Sequence, residues 1–524
     1  MFSPRIHRFI FLFGLIGLGA GMMFGTVPTS IPEIILFANW LFEGRFKSKW
    51  HLIRLNPVFW VLSSVLLMHL LGLIHTGEMS SALDDIRIKI PLLLLPLVFF
   101  TTEPINKHEL NLLLKLFVAA VVMSTLWCVF YYFTHDLSDA RKASRFMSHI
   151  RLGLLVNFCV GVLYFLFRNE DQFKLKTIYV LIIVYLLAVM LILGMVTGLS
   201  LFVLLAVIYM FYLVFRHGII FKLTGLILLS VLAISGFFLI GSEWKKFNYV
   251  DMSEKNNAKT HSQSGRAYFK LDSANYHTEN GFYITNNIQY DELHMHWKKY
   301  SKINLYGQDK KGAYVMWNVI RYLSSKGLTK DSVGLAELGA EDFKNIENGC
   351  TNYLYANASP IKLRIKEFFW EYRDYKQGFN PSGNTLLMRL EFWKAAKYII
   401  ARNLWTGVGT GDAQKSFNKA YNRSKSTLAH EWRLRSHNQF LSITVCFGIW
   451  GLLVFLFSIL YPAISLRNQL NNLYWLFLLI VLISFITEDT LETQTGVTFY
   501  AYFNTLFLWL ACGKKSGETA NQNL

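Results

Sequence analysis

Long apolar stretches separated by short polar segments fill most of the first half of the chain and return near its C-terminal end. Two examples are PVFWVLSSVLLMHLLGLIH at 57–75 and IIFKLTGLILLSVLAISGFFLIG at 219–241. A helix of roughly 20 apolar residues is long enough to cross the hydrocarbon core of a bilayer. The pattern predicts twelve such helices, at residues 9–25, 28–43, 57–75, 87–101, 112–133, 151–167, 177–195, 199–215, 219–241, 438–461, 472–487 and 495–512.

The first apolar stretch follows Arg5, His7 and Arg8, an order that is also found in cleaved signal peptides. It runs past the usual length of a signal sequence, and the next predicted span follows almost directly. We therefore interpret it as the first transmembrane helix.

The composition agrees with a membrane protein, since 53% of the residues are hydrophobic and only 16% are charged. The formal charge of +18 would suit a nucleic-acid-binding protein, but in a membrane protein anionic lipids are the more natural partners. The five cysteines are scattered, without the spacing of a zinc site or a disulfide framework. We expect membrane lipids as partners, and no nucleic acid and no metal.

The distribution of Lys and Arg predicts the orientation of the helices. The short segments on the side of the N-terminus carry more than twice as many of these residues as the short segments on the other side. Cytoplasmic loops are the ones enriched in Lys and Arg. Both termini are therefore expected in the cytoplasm, in agreement with an even number of spans.

One long segment, residues 242–437, then lies outside the membrane and holds 30 of the 52 Lys and Arg residues. Structureless loops of this length are uncommon. The prediction is an all-α polytopic membrane protein with about twelve transmembrane helices and a large external loop domain of mixed α/β structure between the ninth and tenth. Residues 1–241 form helices one to nine, 242–437 form the loop domain, and 438–524 form the last three helices and a tail.

Several patterns predict local structure in the loop. Aromatic and small residues alternate at 265–285, which indicates short strands, while cap residues and Gly349 indicate one or two helices at 329–349. Residues 385–403 predict an amphipathic helix that lies against the membrane domain or the bilayer. Leu386, Leu390, Trp393, Ala396, Lys397 and Ile400 recur in it at helical spacing, and all of them but Lys397 are apolar. His294 and His296 are interpreted as one face of a strand, since two alternating histidines make a poor metal site.

Two polar segments precede the tenth span. LWTGVGTGDAQKSFNKAYN at 404–422 holds Gly407 and Gly409 in a turn that either connects two helices tightly or presents amides to a phosphate. The connection is the favoured interpretation. RSHNQF at 435–440 then places ionisable groups at the edge of the membrane, where such groups either anchor a helix or do chemistry.

His437 and Asn438, followed after nine residues by Gly448 and then by Gly451, form a pattern that resembles the O-antigen ligase and O-antigen polymerase family. RLEFWKAAKYIIARNLWTGVGTGD, residues 389–412, resembles the same family upstream. The resemblance implies transfer of a glycan from undecaprenyl diphosphate to a sugar hydroxyl of lipid A core or another glycan acceptor. It implies a multi-pass protein of the bacterial inner membrane with a periplasmic loop and a reaction without metal or nucleotide cofactors.

The chemistry of His437 is consistent with that resemblance. An acceptor hydroxyl loses its proton as it attacks an anomeric carbon, and a neutral imidazole is a suitable base near pH 7. The alternative is a histidine that only caps or anchors the helix. Asn438 is expected to orient the start of the helix or a sugar, and Gly448 and Gly451 to permit close helix packing.

A diphosphate leaving group requires fixed cations, and arginine offers two-point contacts to phosphate. Arg389 matches the loop arginine of the family. Arg151, Arg145 and Arg435 are further candidates. The chain departs from the family at the turn GMVTGLSLF, residues 194–202, which lacks the Ser-Arg pair that is common there. Arg151 or Arg145 is the candidate replacement.

Glu488, Asp489 and Glu492 follow the eleventh span. We predict a solvated acidic turn, with orientation of His437 or binding of the acceptor as the alternative.

Four functions remain open. The single large loop favours a ligase over a polymerase that uses a second lipid-linked glycan. An enzyme that transfers glycan to a protein hydroxyl is a third alternative within the resemblance. A transporter or flippase of the lipid-linked glycan is the rival from another class.

Overall fold

The computed structural model describes residues 3–135, 137, 140–216, 219–251, 259–269, 277–309, 312–358 and 360–522. It is mostly helical. The chain divides into two compact units: one comprises Met1–Val207 and Phe379–Leu524, and the other comprises Ile208–Gly378.

The first part of the chain forms ten helices up to residue 216. They are α1 (Pro4–Gly21), α2 (Thr26–Glu43), α3 (Phe46–Arg54), α4 (Pro57–Leu71), α5 (Met79–Lys89), α6 (Pro91–Phe100), α7 (Lys107–Thr134), α8 (His149–Arg168), α9 (Phe173–Ile192) and α10 (Val196–Arg216). Pro91 occupies the first position of α6, where its missing N–H costs no hydrogen bond. The predicted span at 87–101 is therefore two helices that meet at residue 90.

The second unit contains a helical domain with one small hairpin. Its elements are α11 (Ile219–Phe247), β1 (Thr278–Glu279), β2 (Phe282–Tyr283), α12 (Tyr290–Trp297), α13 (Val315–Ser325), α14 (Ser332–Ala336), α15 (Ala340–Glu347) and α16 (Pro360–Lys376). The strands pair antiparallel, with Thr278 opposite Tyr283. A buried core that includes Trp297, Val319 and Leu323 joins α12 to α13.

Two of the local predictions for this unit can be compared with its structure. The helices predicted at 329–349 are confirmed as α14 and α15. The strands predicted at 265–285 are found only at 278–279 and 282–283, while residues 270–276 lie outside the described part of the chain.

The strand predicted for His294 and His296 is wrong, because both residues lie in α12. The Gln289 side chain caps this helix by accepting hydrogen bonds from the N–H groups of Asp291 and Glu292. A capped helix start thus overrides the alternating pattern, and residues two apart on a helix do not face each other.

The first unit is completed by five helices after residue 379. They are α17 (Thr385–Arg402), α18 (Ala413–Arg423), α19 (Gln439–Ser465), α20 (Asn472–Thr487) and α21 (Gln494–Gln522). The helix predicted at 385–403 is thus confirmed, but it buries a neighbouring face, with Met388, Phe392 and Ile399 inside. Leu386 and Trp393 of the predicted apolar face remain 48% and 38% exposed.

A helix lies at each predicted span. Six helices of the described chain are long and apolar enough to cross a membrane, and they comprise Pro57–His75, Lys107–Thr134, His149–Arg168, Phe173–Ile192, Val196–Val214 and Gln439–Ser465. A shorter apolar helix is Asn472–Thr487. The chain is therefore a helical membrane protein, while the count of twelve spans stays a prediction.

Helix α19 is broken at Gly448, whose φ of 65° and ψ of −159° no helix contains. A break leaves backbone groups near it without partners inside the helix. The turn that precedes α18 supplies those partners. The N–H groups of Val408 and Gly409 donate to the carbonyls of Val445 and Cys446, each at 2.9 Å.

The same contact continues on the other side of the break, where the Ile449 N–H donates to the Leu404 carbonyl at 2.7 Å. Gly407 lies so close to the backbone of residues 446–447 that a Cβ atom would overlap it. The two glycine patterns of the sequence therefore form one backbone contact. The turn is the tight connection that we favoured, and the amides of Val408 and Gly409 are already hydrogen-bonded.

We predict that Gly407→Ala destabilises the protein far more than Gly194→Ala. Both glycines have positive φ, 68° and 59°, but a Cβ at Gly194 meets no atom within 4 Å. Gly194→Ala is the control, and it destabilises the protein only because alanine must adopt a left-handed conformation, at about 1–2 kcal/mol. In Gly407→Ala the new Cβ atom also pushes against the backbone of residues 446–447. Thermal unfolding of the purified proteins in detergent measures the difference. Equal losses in both variants would contradict the close backbone contact.

Candidate functional site

The start of α19 is fixed by Asn438. Its side-chain oxygen accepts a hydrogen bond from the Leu441 N–H at 3.0 Å, which caps the helix. Its side-chain nitrogen donates to the Ile486 carbonyl near the end of α20 at 2.9 Å. The Asn438 side chain therefore joins two helices, which agrees with an orienting role at the start of the helix.

His437, directly before this cap, has a left-handed backbone with φ of 47°. This conformation is uncommon in residues other than glycine. The carboxylate of Asp489 holds it, because it accepts from the N–H groups of His437 at 2.9 Å and Asn438 at 2.8 Å. The Ser442 hydroxyl also donates to this carboxylate at 2.8 Å. Burial raises the pKa of Asp489, and the nearby His437 opposes that rise.

The two ring nitrogens of His437 have different surroundings: Nδ1 contacts Glu488, while Nε2 has no described partner. Its Nδ1 lies 3.1 Å from Oε2 of Glu488, and its ring stacks on Phe392 at 5.3 Å between centroids. No described residue forms a hydrogen bond with Nε2, and 31% of the side chain is exposed. A carboxylate on Nδ1–H fixes the tautomer in which Nε2 carries a lone pair. The geometry therefore orients the ring and leaves Nε2 able to accept a proton.

The charges around His437 favour its protonated form. Burial by itself lowers the pKa of His437, but the hydrogen bond to Glu488 and the charges of Glu488 and Asp489 outweigh it. The pKa of His437 is therefore raised above its usual value, although Arg389 opposes this. A raised pKa makes the neutral imidazole a stronger proton acceptor.

Glu488 joins His437 to Arg389. The Arg389 guanidinium donates to Oε1 of Glu488 at 2.7 Å, and both side chains are largely buried. Burial raises the pKa of Glu488, but His437 and Arg389 together lower it below its usual value. Glu488 is thus an ionised carboxylate between the guanidinium of Arg389 and the imidazole of His437.

A second group of charges lies around Arg435. This guanidinium donates to Asp85 at 3.2 Å and to Glu492 at 2.9 Å, and Glu492 also accepts from Lys89 at 2.9 Å. Burial alone raises the pKa of Glu492, but Lys89 and Arg435 lower it to about 2. Arg435 is therefore part of a buried ion-pair network.

The solvated acidic turn predicted at 488–492 is wrong. The side chains of Glu488 and Glu492 are 14% and 11% exposed, and Asp489 is 8% exposed overall. Basic groups from segments distant in sequence neutralise Glu488 and Glu492, and backbone amides and a hydroxyl bind Asp489. The signal was present in the sequence, because buried charges need partners and the chain places basic and acidic groups at neighbouring span ends.

Arg151 lies in the first turn of α8, where the Ser148 hydroxyl caps its N–H. Its guanidinium forms no hydrogen bond or ion pair with any residue that the structure describes, yet it lies within electrostatic range of Glu488. Arg145 instead lies over the ring of Tyr131, 4.9 Å from its centroid. The structure therefore brings Arg151 and Arg389 towards the same carboxylate and leaves Arg145 in another contact.

No described group of three or more His, Cys, Asp or Glu side chains is arranged to hold a metal ion. The glycines of the motif serve packing: Gly448 breaks α19, and Gly451 lies against Phe447 and Met68.

We predict that Glu488→Gln lowers the pKa of His437. The variant removes the negative charge and the charge-assisted hydrogen bond that stabilise the imidazolium, and it leaves Arg389 nearby. Histidine hydrogen–deuterium exchange followed by mass spectrometry across a pH series measures this pKa. Glu78→Gln, which removes an exposed partner of Lys415, is the control and leaves the value unchanged. An unchanged or higher pKa in Glu488→Gln would contradict the pairing.

Residues 348–456 match the family model described as O-antigen ligase. A search of the curated proteins finds no match. The matched region runs through Arg389, the glycine turn and His437 and ends in α19 beyond Gly451. The resemblance seen in the sequence is confirmed for residues 348–456, which are similar to the O-antigen ligase family.

Proposed function

We propose that the protein is a membrane glycosyltransferase. It moves a glycan from undecaprenyl diphosphate to a sugar hydroxyl of lipid A core on the periplasmic face of the inner membrane. The observation that carries the proposal is the imidazole of His437, held at Nδ1 by Glu488 and open at Nε2, inside an O-antigen ligase domain.

In the proposed reaction, His437 is the general base. The acceptor hydroxyl gives its proton to Nε2 while its oxygen forms a bond to the anomeric carbon of the donor glycan. The bond from that carbon to the diphosphate oxygen breaks, and undecaprenyl diphosphate leaves. Glu488 stabilises the imidazolium that forms, in the manner of a carboxylate paired with a catalytic histidine. The steps need neither a metal nor a nucleotide.

The donor diphosphate is assigned to Arg389 and Arg151. Both guanidiniums lie near Glu488, and planar guanidinium groups bind phosphate oxygens in pairs. Arg435 is a weaker candidate than its sequence position indicated, because Asp85 and Glu492 already bind it. In this proposal Arg435 stabilises the site through its ion pairs with Asp85 and Glu492. Arg151 takes the role of the arginine that is missing from the turn at 194–202.

The proposed topology has twelve spans, cytoplasmic termini and a periplasmic loop of residues 242–437. Contacts within the first unit support the alternation of its helices. Arg8 near the start of α1 pairs with Glu109 near the start of α7 at 2.7 Å. Gln494 at the start of α21 donates to Ser30 near the start of α2 at 2.5 Å. Each pair joins helix ends that the topology assigns to one side.

A polymerase is the second candidate within the family, because it needs the same base and the same diphosphate site. The single large loop before His437 favours the ligase. A deletion strain separates the two: loss of a ligase leaves polymerised chains on the lipid carrier, while loss of a polymerase leaves single repeat units attached to core. Attachment to a protein instead of a lipid would indicate transfer to a protein hydroxyl.

A transporter of the lipid-linked glycan is the rival from another class. Transporters typically bind substrate near the middle of the membrane between broken helices. Here the polar candidates lie where predicted spans begin or end, which favours the enzyme. Purified protein that moves the lipid between leaflets without transferring glycan would support the transporter.

We predict that His437→Gln and His437→Ala insert normally but lose glycan transfer by about 10²–10⁴-fold. Glutamine keeps polarity and hydrogen bonding but cannot accept a proton near neutral pH. A transfer assay with purified protein, lipid-linked glycan and core acceptor measures the rate, and membrane abundance serves as the folding control. Wild-type rates in His437→Gln would exclude the general base.

We predict that Arg389→Lys reduces transfer on the order of 10²-fold, while Lys394→Arg leaves the rate near that of wild type. Lysine keeps the charge but loses the two-point contact to phosphate. Lys394 lies on the same helix, pairs with Glu391 and is 63% exposed, so it is a matched control. Equal rates in the two variants would rule out a diphosphate contact for Arg389.

A further inference from the structure

A groove of about 350 Å³ opens between α7, α8 and α9. One side of α7 supplies most of its wall at the helical spacing of i, i+3, i+4, i+7 and i+8. The lining residues are Lys115, Val118, Ala119, Val122, Met123, Leu166, Tyr179 and Ile182. The wall is apolar except for Lys115 and the hydroxyl of Tyr179, so it fits a hydrocarbon chain with a polar end.

The Tyr179 hydroxyl is the first sign of a specific ligand. Tyr179 is only 6% exposed, and its buried hydroxyl has no hydrogen-bond partner among the described residues. A buried polar group without a partner costs free energy, about 1–3 kcal/mol in proteins. An ester or phosphate oxygen of a bound lipid would supply the missing acceptor.

Lys115 is the second sign. Its side chain is 45% exposed, and its ion-pair partner Glu170 lies at 4.0 Å, the limit of such a contact. Glu170 also accepts from the amides of Asp171 and Gln172, so its charge is shared. Lys115 is therefore available to an anion at the end of the groove.

The surroundings of this end are basic. The ends of α8 and α9 that flank their short connection carry Arg168, Lys174 and Lys176, against Glu170 and Asp171 in the connection itself. Basic pockets between transmembrane helices are typical sites for the headgroups of anionic lipids. With the proposed orientation, this end lies at the cytoplasmic surface, on the side opposite to His437.

We propose that the groove binds an anionic phospholipid, with one acyl chain along α7, the phosphate at Lys115, and an ester or phosphate oxygen at the Tyr179 hydroxyl. Unlike lipids that only surround a membrane protein, this one is recognised by two side chains. The inference does not rest on the proposed glycan transfer, and its test uses no glycan substrate.

The test is native mass spectrometry of the full-length protein in detergent, titrated with phosphatidylglycerol and, separately, with phosphatidylcholine. We expect tighter binding of phosphatidylglycerol. Lys115→Ala should weaken it about fivefold and Tyr179→Phe about threefold. Lys47→Ala, an exposed lysine of α3 that belongs neither to the groove wall nor to its basic end, is the matched control and should leave binding unchanged.

Ala119→Trp is a second variant that fills the groove without changing charge. Ala119 is exposed on the groove wall, so the larger side chain does not disturb the core. We expect it to abolish specific binding while thermal stability stays at the wild-type level. Wild-type binding in Lys115→Ala and Ala119→Trp, equal affinity for the two phospholipids, or preference for undecaprenyl phosphate over phosphatidylglycerol would each overturn the proposal.

Discussion

The pairing of buried charges around the connection from α20 to α21 is the constraint on which the candidate site depends. Charges that leave water are stable only with close partners of opposite sign or hydrogen bonds. Glu488, Asp489 and Glu492 each meet this requirement with groups from a different segment, and together they join α5, α17 and the start of α19 to one connection. The position of His437 is therefore set by the packing of several helices.

These contacts divide the cationic residues into two classes that look alike in the sequence. Arg435 is fixed by two carboxylates and has little capacity for a substrate. Arg389 shares a carboxylate with His437, and Arg151 lies within electrostatic range of that carboxylate without a direct contact. Such an arrangement couples His437 to Arg389, because any anion that attracts Arg389 also alters the charge that His437 experiences.

The sequence predicted the helices well, because apolar length is a local signal. The pattern around His437 is equally local, and it lies in the region that matches the O-antigen ligase family. The sequence failed for Glu488 and its neighbours, since their burial depends on partners 50 to 100 residues away or more. It also failed for His294 and His296, where an alternating pattern coincided with a strong helix cap. The sequence also did not reveal which segment packs against the break at Gly448, because a glycine indicates only that a side chain is absent.

The contact between the glycine turn and the break in α19 has a consequence for biogenesis. Residues 404–411 leave the ribosome before α19 and, in the proposed topology, are translocated first. In the folded protein, amides of this turn bind the carbonyls of Val445 and Cys446. Because unpaired backbone groups are costly in hydrocarbon, the break in α19 is compatible with a membrane only once the turn has packed against it.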